Sequence, residues 1–209
     1  MSQRLSVLNS KTNITQLKTK QYATGNYQRF KDSLQKLQHT DGMEIYIVDG
    51  NLAADIEDIY LLAQQLQVDG VYIDGAYLCR TKNDRLARYD RVTTVAESIK
   101  SFTSQLDVPS FSTWQFNRDA VKGKNGKKEE KTQQATLEDI GMTDAVGQLS
   151  SVVLGLMQER SVETLNSRTI DVLKGRDGET GKFRINWDFI NMDFTEIDEA
   201  AQKQALQFI

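Results

Sequence analysis

The run Val68-Asp69-Gly70-Val71-Tyr72-Ile73-Asp74-Gly75-Ala76-Tyr77-Leu78 decides how the rest of the chain is read. Its β-branched and aromatic residues, bounded by glycines, predict an interior strand of a parallel sheet, since such strands are apolar on both faces. The apolar residues stop at Asp74, so a carboxylate stands at the strand's carboxyl end. Ligands of open α/β sheets bind in the crevice beyond that end, where a carboxylate can hold Mg²⁺ or its water shell. A strand-terminal Asp also caps turns, and the residue alone does not choose between the two roles.

Upstream of this run, Glu44-Ile45-Tyr46-Ile47-Val48-Asp49 reads as a strand, and residues 53–67 place Ile56, Ile59, Tyr60, Ala63 and Leu66 on one helical face. Strand, helix and strand with short connections predict a βαβ unit, hence a parallel sheet with a right-handed crossover. Further back, Tyr27, Phe30, Leu34 and Leu37 at helical spacing predict a helix over 26–38. Residues 1–8 and 13–20 are polar and only weakly periodic.

Downstream, Val95, Ile99, Phe102 and Leu106 mark the inward face of a helix over 92–106, which Pro109 ends before a strand over 110–116. The texture then changes. Strands are expected over 150–158 and 169–174, with a hairpin of 183–189 and 192–197, and a polar helix over 198–208. Phe183, Ile185, Trp187 and Phe189 alternate with period two, the clearest strand signal in the chain.

At 209 residues, 39% hydrophobic and 26% charged, the chain has the composition of one globular domain with a real core. It contains no apolar run near the ~20 residues of a membrane span and no signal-peptide pattern at Met1. A single cysteine, Cys79, excludes an internal disulfide or a thiolate metal cluster and suits a reducing cytoplasm. A single histidine, His39, in a polar turn excludes histidine-based zinc sites and argues against a Ser-His-Asp triad.

The net charge of −3 exerts no global pull on a polyanion, so such binding must come from local basic clusters. Arg80, Lys82, Arg85, Arg88 and Arg91 put five basic residues into twelve, following Asp74 on the same sheet edge. A solvated loop has the same composition. Residues 119–136, with Lys122-Gly123-Lys124-Asn125-Gly126-Lys127-Lys128, are glycine-rich and charged and predict a mobile basic loop.

Taken in order, these elements resemble the C-terminal motor domain of the DnaB-type hexameric replicative helicases, a RecA-like family that includes bacteriophage primase-helicases. The resemblance runs along nearly the whole chain. Residues 71–78 look like the Walker B strand, with Asp74 in the metal-associated position. Ser112-Thr113-Trp114-Gln115-Phe116-Asn117-Arg118 resembles the family's S-Q-L-N-R segment, which places Gln115 at the sensor of γ-phosphate state. Leu137-Glu138-Asp139-Ile140-Gly141 resembles the DNA-loop motif L-R-x-S-G, which implies that Asp139 and Gly141 lie at DNA. The run 146–153 is similar to the strand that follows this motif. Glu138 departs from the pattern, standing where the family has an arginine, and its charge repels phosphate.

Lys174-Gly175-Arg176 resembles the K-x-R hairpin, whose Lys and Arg reach into a neighbouring subunit's nucleotide site. Catalysis of phosphoryl transfer is largely the placing of cations around the phosphate, and an arginine supplied in trans contributes about 10³ to 10⁵ in rate. Strand alternation predicts that Lys174 and Arg176 share one face. Asp177-Gly178 and Thr180-Gly181 then supply the turn.

The sequence contains no G-x-x-x-x-G-K-[ST]; Gly178-Glu179-Thr180-Gly181-Lys182-Phe183 has neither its spacing nor its hydroxyl residue. The resemblance therefore implies an α/β RecA-like P-loop NTPase core over 1–209, with a mostly parallel sheet, flanking helices and a C-terminal β-hairpin, truncated at its N-terminus. It also implies ATP and Mg²⁺ only in a completed site. The expected function is a share in ATP-driven translocation on single-stranded DNA, with a P-loop-bearing helicase chain or a homo-oligomeric ring as partner. Arg80, Lys82, Arg85 and Arg88 would guide the DNA backbone. Two alternatives stand beside it: a catalytically inactive paralogue that regulates a helicase ring, and a stand-alone single-stranded nucleic-acid-binding module. The setting implied is the cytoplasm, with a bacteriophage protein in its bacterial host as one case.

Overall fold

In the computed structural model the described residues are 2–38, 44–48, 55–82, 85–115, 144–158 and 165–198. They form helices α1 (Ser2–Ser10), α2 (Ile14–Thr19), α3 (Asn26–Gln38), α4 (Ile56–Leu66), α5 (Arg88–Leu106) and α6 (Ala145–Leu149). The strands are β1 (Val71–Ile73), β2 (Ser110–Ser112), β3 (Val153–Met157), β4 (Ser167–Lys174) and β5 (Gly181–Asn186). Two compact units result: Met1–Val48 with Leu156–Asp171 and Lys182–Ile209, and Asp49–Gly155 with Val172–Gly181.

In the second unit β1 and β2 pair in parallel, Val71 opposite Ser110 and Ile73 opposite Ser112. The chain between them is α5, so the βαβ unit is β1–α5–β2. Ile56, Tyr60 and Ala63 of α4, three to four residues apart, close over Val71, Ile73 and Val95 to form the core. The Tyr60 hydroxyl pairs with Ser110 Oγ at 2.7 Å and its ring stacks on Phe102 at 4.9 Å. Thr103 Oγ1 donates to the same Ser110 Oγ at 2.8 Å, which satisfies the polar groups under the sheet. Two left-handed residues end the helices: Gln67 (φ 52°) after α4 and Asp107 (φ 53°) after α5, with Pro109 following.

Two expectations are corrected here. Residues 44–48 form no strand and are exposed throughout; none of the described residues offers them a ladder partner, and an unpaired strand has no hydrogen bonds to stabilise it. The expected βαβ unit beginning at Glu44 is therefore replaced by β1–α5–β2. Strand β1 is also buried on one face only: Val71 and Ile73 point inward while Tyr72 is 78% exposed. Among the described residues the parallel pairing is β1–β2 with an isolated Asp55–Arg80 bridge, while β3, β4 and β5 form a separate antiparallel sheet in that order.

In the first unit α1 and α3 are tied by the Asn9 amide, which donates to the Ser33 carbonyl at 3.3 Å and to the Ser33 hydroxyl. Asn13 Oδ1 caps α2, accepting the amides of Thr15 (2.8 Å) and Gln16 (3.4 Å). The expected C-terminal hairpin of 183–189 and 192–197 forms in part: β5 ends at Asn186, its burial does not alternate, and the return segment pairs through isolated bridges. Asn186 donates its amide to Thr195 at 2.9 Å, and antiparallel bridges join Ile185 to Glu196 and Asp188 to Asp193. Trp187, Phe189 and Phe194 meet edge to face at 5.0–5.5 Å, with the Arg168 guanidinium 5.0 Å from the Trp187 ring. The basic loop 119–136 and all of the expected helix 198–208 except Asp198 lie outside the described residues. None of the described helices is long and apolar enough to cross a membrane.

Candidate functional site

The parallel register continues past the strand ends, so that Asp74 follows Ile73 and Thr113 follows Ser112 side by side. Thr113 clamps the two ends. Its amide donates to the Ile73 carbonyl at 3.0 Å and its carbonyl accepts the Ala76 amide at 3.1 Å. Its hydroxyl donates to Asp74 Oδ1 at 2.9 Å and accepts the Gly75 amide at 2.7 Å. Gly75 has φ 80°, a left-handed conformation in which a side chain is strained, and it turns the chain into the one-turn 3₁₀ helix Ala76–Leu78. The exposed carboxylate is thus fixed at the carboxyl edge of a parallel sheet.

Gln115, also exposed, lies two residues past Thr113 on the continuation of β2. Asp74 and Gln115 therefore stand beyond the carboxyl ends of adjacent parallel strands, where such sheets bind ligands. None of the described residues forms a group of three or more His, Cys, Asp or Glu suited to a metal. A lone carboxylate nevertheless fits Mg²⁺, which keeps most of its waters and takes one or two carboxylates beside substrate phosphates. Asp74 fits as one such ligand and not as a complete metal centre.

Lys174 and Arg176 are separated by the end of the strand. Lys174 is the last residue of β4, whereas Arg176 sits exposed in the turn that follows, so the shared face is not formed. The turn closes because the Gly178 amide reaches the Gly175 carbonyl at 3.3 Å and Glu179 Oε2 accepts the Asp177 amide at 3.1 Å. Gly175 is obligatory there: a Cβ would fall 2.6 Å from the Glu179 carbonyl oxygen and 2.9 Å from its nitrogen.

The Lys174 ammonium donates to the carbonyls of Gly147 (2.8 Å) and Gln148 (3.0 Å) in the last turn of α6. These are carbonyls that a helix end leaves without intrahelical partners, and a cation suits them. Val146 and Gly147 of α6 are buried, and Trp114 packs against Ala96 and Val146 while its indole N–H donates to Ser112 Oγ at 2.8 Å. The Trp114 of the sensor-like segment is therefore a packing residue.

Of the basic cluster, Arg80 lies against the start of α4, where its carbonyl accepts the Ile56 amide at 3.0 Å. Lys82 and Arg85 are exposed, and Arg88 begins α5. Asp139 and Gly141 lie outside the described residues. Sequence reading missed Thr113. The available signal was a hydroxyl one position beyond a strand that pairs in parallel with the strand ending at Asp74.

A mixed α/β chain with a parallel strand pair and an antiparallel sheet is consistent with a RecA-like core. The chain belongs to the family of the DnaB-like helicase C terminal domain, which matches residues 1–196. Two solved structures share the fold at a TM-score of 0.78 and 16% identity. One is a DnaB-like replicative helicase described with its interactions with primase; the match covers 94% of this chain and 47% of that one. The other is described as an ATPase domain, with 93% of this chain and 69% of that one covered. The chain thus spans about half the length of the first relative. No curated protein sequence matches it.

Proposed function

We propose that the chain is part of a replicative DNA helicase motor and contributes the acid, sensor and arginine-finger elements to a nucleotide site that a P-loop-bearing polypeptide completes. The observation that carries this reading is the pairing of Asp74 and Gln115 beyond adjacent parallel strand ends, in a chain whose family match runs through both units. In this reading the two units are parts of one motor domain. Bound ATP supplies the transferable phosphate and Mg²⁺ neutralises its charge. Asp74, oriented by Thr113, holds the metal or its water; Gln115 contacts the phosphate end; Arg176 in its exposed turn reaches an adjacent site. Arg80, Lys82, Arg85 and Arg88 guide the backbone of single-stranded DNA.

The test is ATP turnover of the chain assembled with its P-loop-bearing partner, wild type against Arg176→Ala. Turnover should fall about 10³-fold or more, the loss expected of an arginine finger. Unchanged turnover would overturn the trans role. A second reading, a ring-regulating paralogue without catalysis, is favoured by the engagement of Lys174 with the α6 carbonyls instead of an open site. Turnover by the assembly decides against it.

A further inference from the structure

Charge is segregated along this chain. Residues 2–38, which carry α1, α2 and α3, hold seven basic residues and one acidic one, Asp32, in a chain whose net charge is −3. That one acid is engaged within its own helix, accepting from the Gln28 side-chain amide at 2.7 Å. Lys18, Lys20 and Lys31 are exposed and have no ion-pair partner among the described residues. An aromatic cluster stands beside them. The Tyr22 ring lies 5.0 Å from Tyr27 and 6.5 Å from Phe30, and Tyr27, held against it, is 52% exposed. Gln16 fixes this arrangement: its Oε1 accepts the Ala23 amide at 3.3 Å and the Asn26 side-chain amide at 2.9 Å. These bonds tie α2, whose C-terminal end carries Lys18 and Lys20, to the start of α3. On α3 itself Lys31 follows Tyr27 by four residues, which places both on one helical face.

We infer that this α2–α3 face binds single-stranded nucleic acid, with Tyr27 stacking on a base while Lys18, Lys20 and Lys31 hold the flanking phosphates. It is an interface additional to the Arg80–Arg88 cluster and does not depend on the reading of a shared nucleotide site. A local excess of positive charge attracts any polyanion, and by itself it would suit an acidic peptide or a duplex as well. The rings choose among these. Stacking needs an unpaired base with an open π-face, which neither a duplex nor an acidic peptide offers. A lone exposed tyrosine is ordinary surface. One whose ring rests on a half-buried aromatic cluster keeps its orientation, so little conformational freedom is lost when a base lies on it. The negative charge elsewhere in the chain does not cancel the patch, because salt at about 0.1 M confines each exposed charge to a range of about 10 Å.

The experiment titrates a fluorescein-labelled oligothymidine of about twenty nucleotides with the full chain, read by fluorescence anisotropy over a salt series. Tyr27→Ala should weaken binding about fivefold or more, the loss of one stacked base, and Tyr27→Phe, which keeps the ring, should bind as wild type does. Lys18→Gln combined with Lys20→Gln should make the slope of log K against log salt shallower by about 1.4, two phosphates at about 0.7 each. Lys100→Gln, which removes an exposed charge from α5, should leave that slope unchanged. A probe carrying 4-thiothymidine should give, on irradiation, an adduct on the peptide that contains Tyr22 or Tyr27. Circular dichroism checks the folding of each variant. Wild-type affinity in Tyr27→Ala, an unchanged slope in the double variant, the same change from Lys100→Gln, or adducts confined to residues 80–91 would each overturn the inference. Displacement of the probe by a polyglutamate peptide that binds Tyr27→Ala equally well would do so too, by making the face a general anion surface. ATP turnover by the assembly tests the motor reading separately, and none of these outcomes alters it.

Discussion

Replacing Thr113 by valine removes the hydroxyl that joins the two strand ends and keeps the β-branched shape that suits this backbone. Two hydrogen bonds end on that hydroxyl, 2.9 Å to Asp74 Oδ1 and 2.7 Å from the Gly75 amide. A net hydrogen bond contributes about 0.5–1.5 kcal/mol, and both of these are open to water, so the pair is worth about 1–2 kcal/mol. The assay is urea unfolding at neutral pH, where a lower midpoint at constant slope reports lost stability without a change in the exposed surface. Thr113→Ser, which keeps the hydroxyl, should retain most of the stability. In a cycle with Asp74→Ala the two changes should couple by about 0.5 kcal/mol or more, because they share one bond. Thr113→Val within about 0.3 kcal/mol of wild type, or strict additivity with Asp74→Ala, would refute the clamp.

Four further outcomes follow from the geometry. Lys174→Met should raise amide hydrogen exchange across residues 145–150, because the Gly147 and Gln148 carbonyls lose their donor; exchange at the wild-type rate would remove the lysine from the α6 cap. Gly175→Ala should destabilise by about 1–3 kcal/mol in thermal unfolding, since the added carbon meets the Glu179 backbone as well as its carboxylate, and only the carboxylate can swing away. Asp188 and Asp193 are held below the usual carboxylate range, chiefly by the amides of Asn191 and Thr195 respectively. Their contribution is complete above the unfolded value of 3.8 and is lost as pH falls through the lower folded values, where the unfolded chain binds more protons. NMR titration of the carboxyl carbons should therefore show both midpoints below 3.8, and the double change to asparagine should flatten the acid limb of the stability curve. Burial pushes the Cys79 thiol up from its ordinary value of 9.0, so its alkylation rate should rise at higher pH in the folded chain than in urea.

Where a segment's own residues decide its structure, the sequence is readable. The helix over 26–38 coincides with α3, and the apolar spacing of Ile56, Tyr60 and Ala63 marks the buried face of α4. The period-two run becomes strand only as far as Asn186, and the return pairs through isolated bridges to partners close in the chain. Structure that depends on distant or weak signals was harder to read. Helices α1 and α2 have little apolar periodicity, and the Asn13 cap was the one local signal for α2. Residues 44–48 carry a strand's composition, but a strand exists only through its neighbour. Lys174 and Arg176 satisfy alternation on paper, yet Gly175 ends the strand between them by letting the backbone close on Glu179. The position of Asp74 at a strand end was legible from the apolar run, and that of Gln115 near the next strand from motif order. Their common edge and the Thr113 clamp required the β1–β2 register.

The most direct test of the account is a titration of the purified chain with a fluorescent ATP analogue in the presence of Mg²⁺. On the proposed reading, these 209 residues, which contain no G-x-x-x-x-G-K-[ST], should show no saturable binding by themselves and should acquire it when a P-loop-bearing polypeptide is added. Tight, saturable binding by the chain alone would contradict the claim that its nucleotide site is completed by another polypeptide.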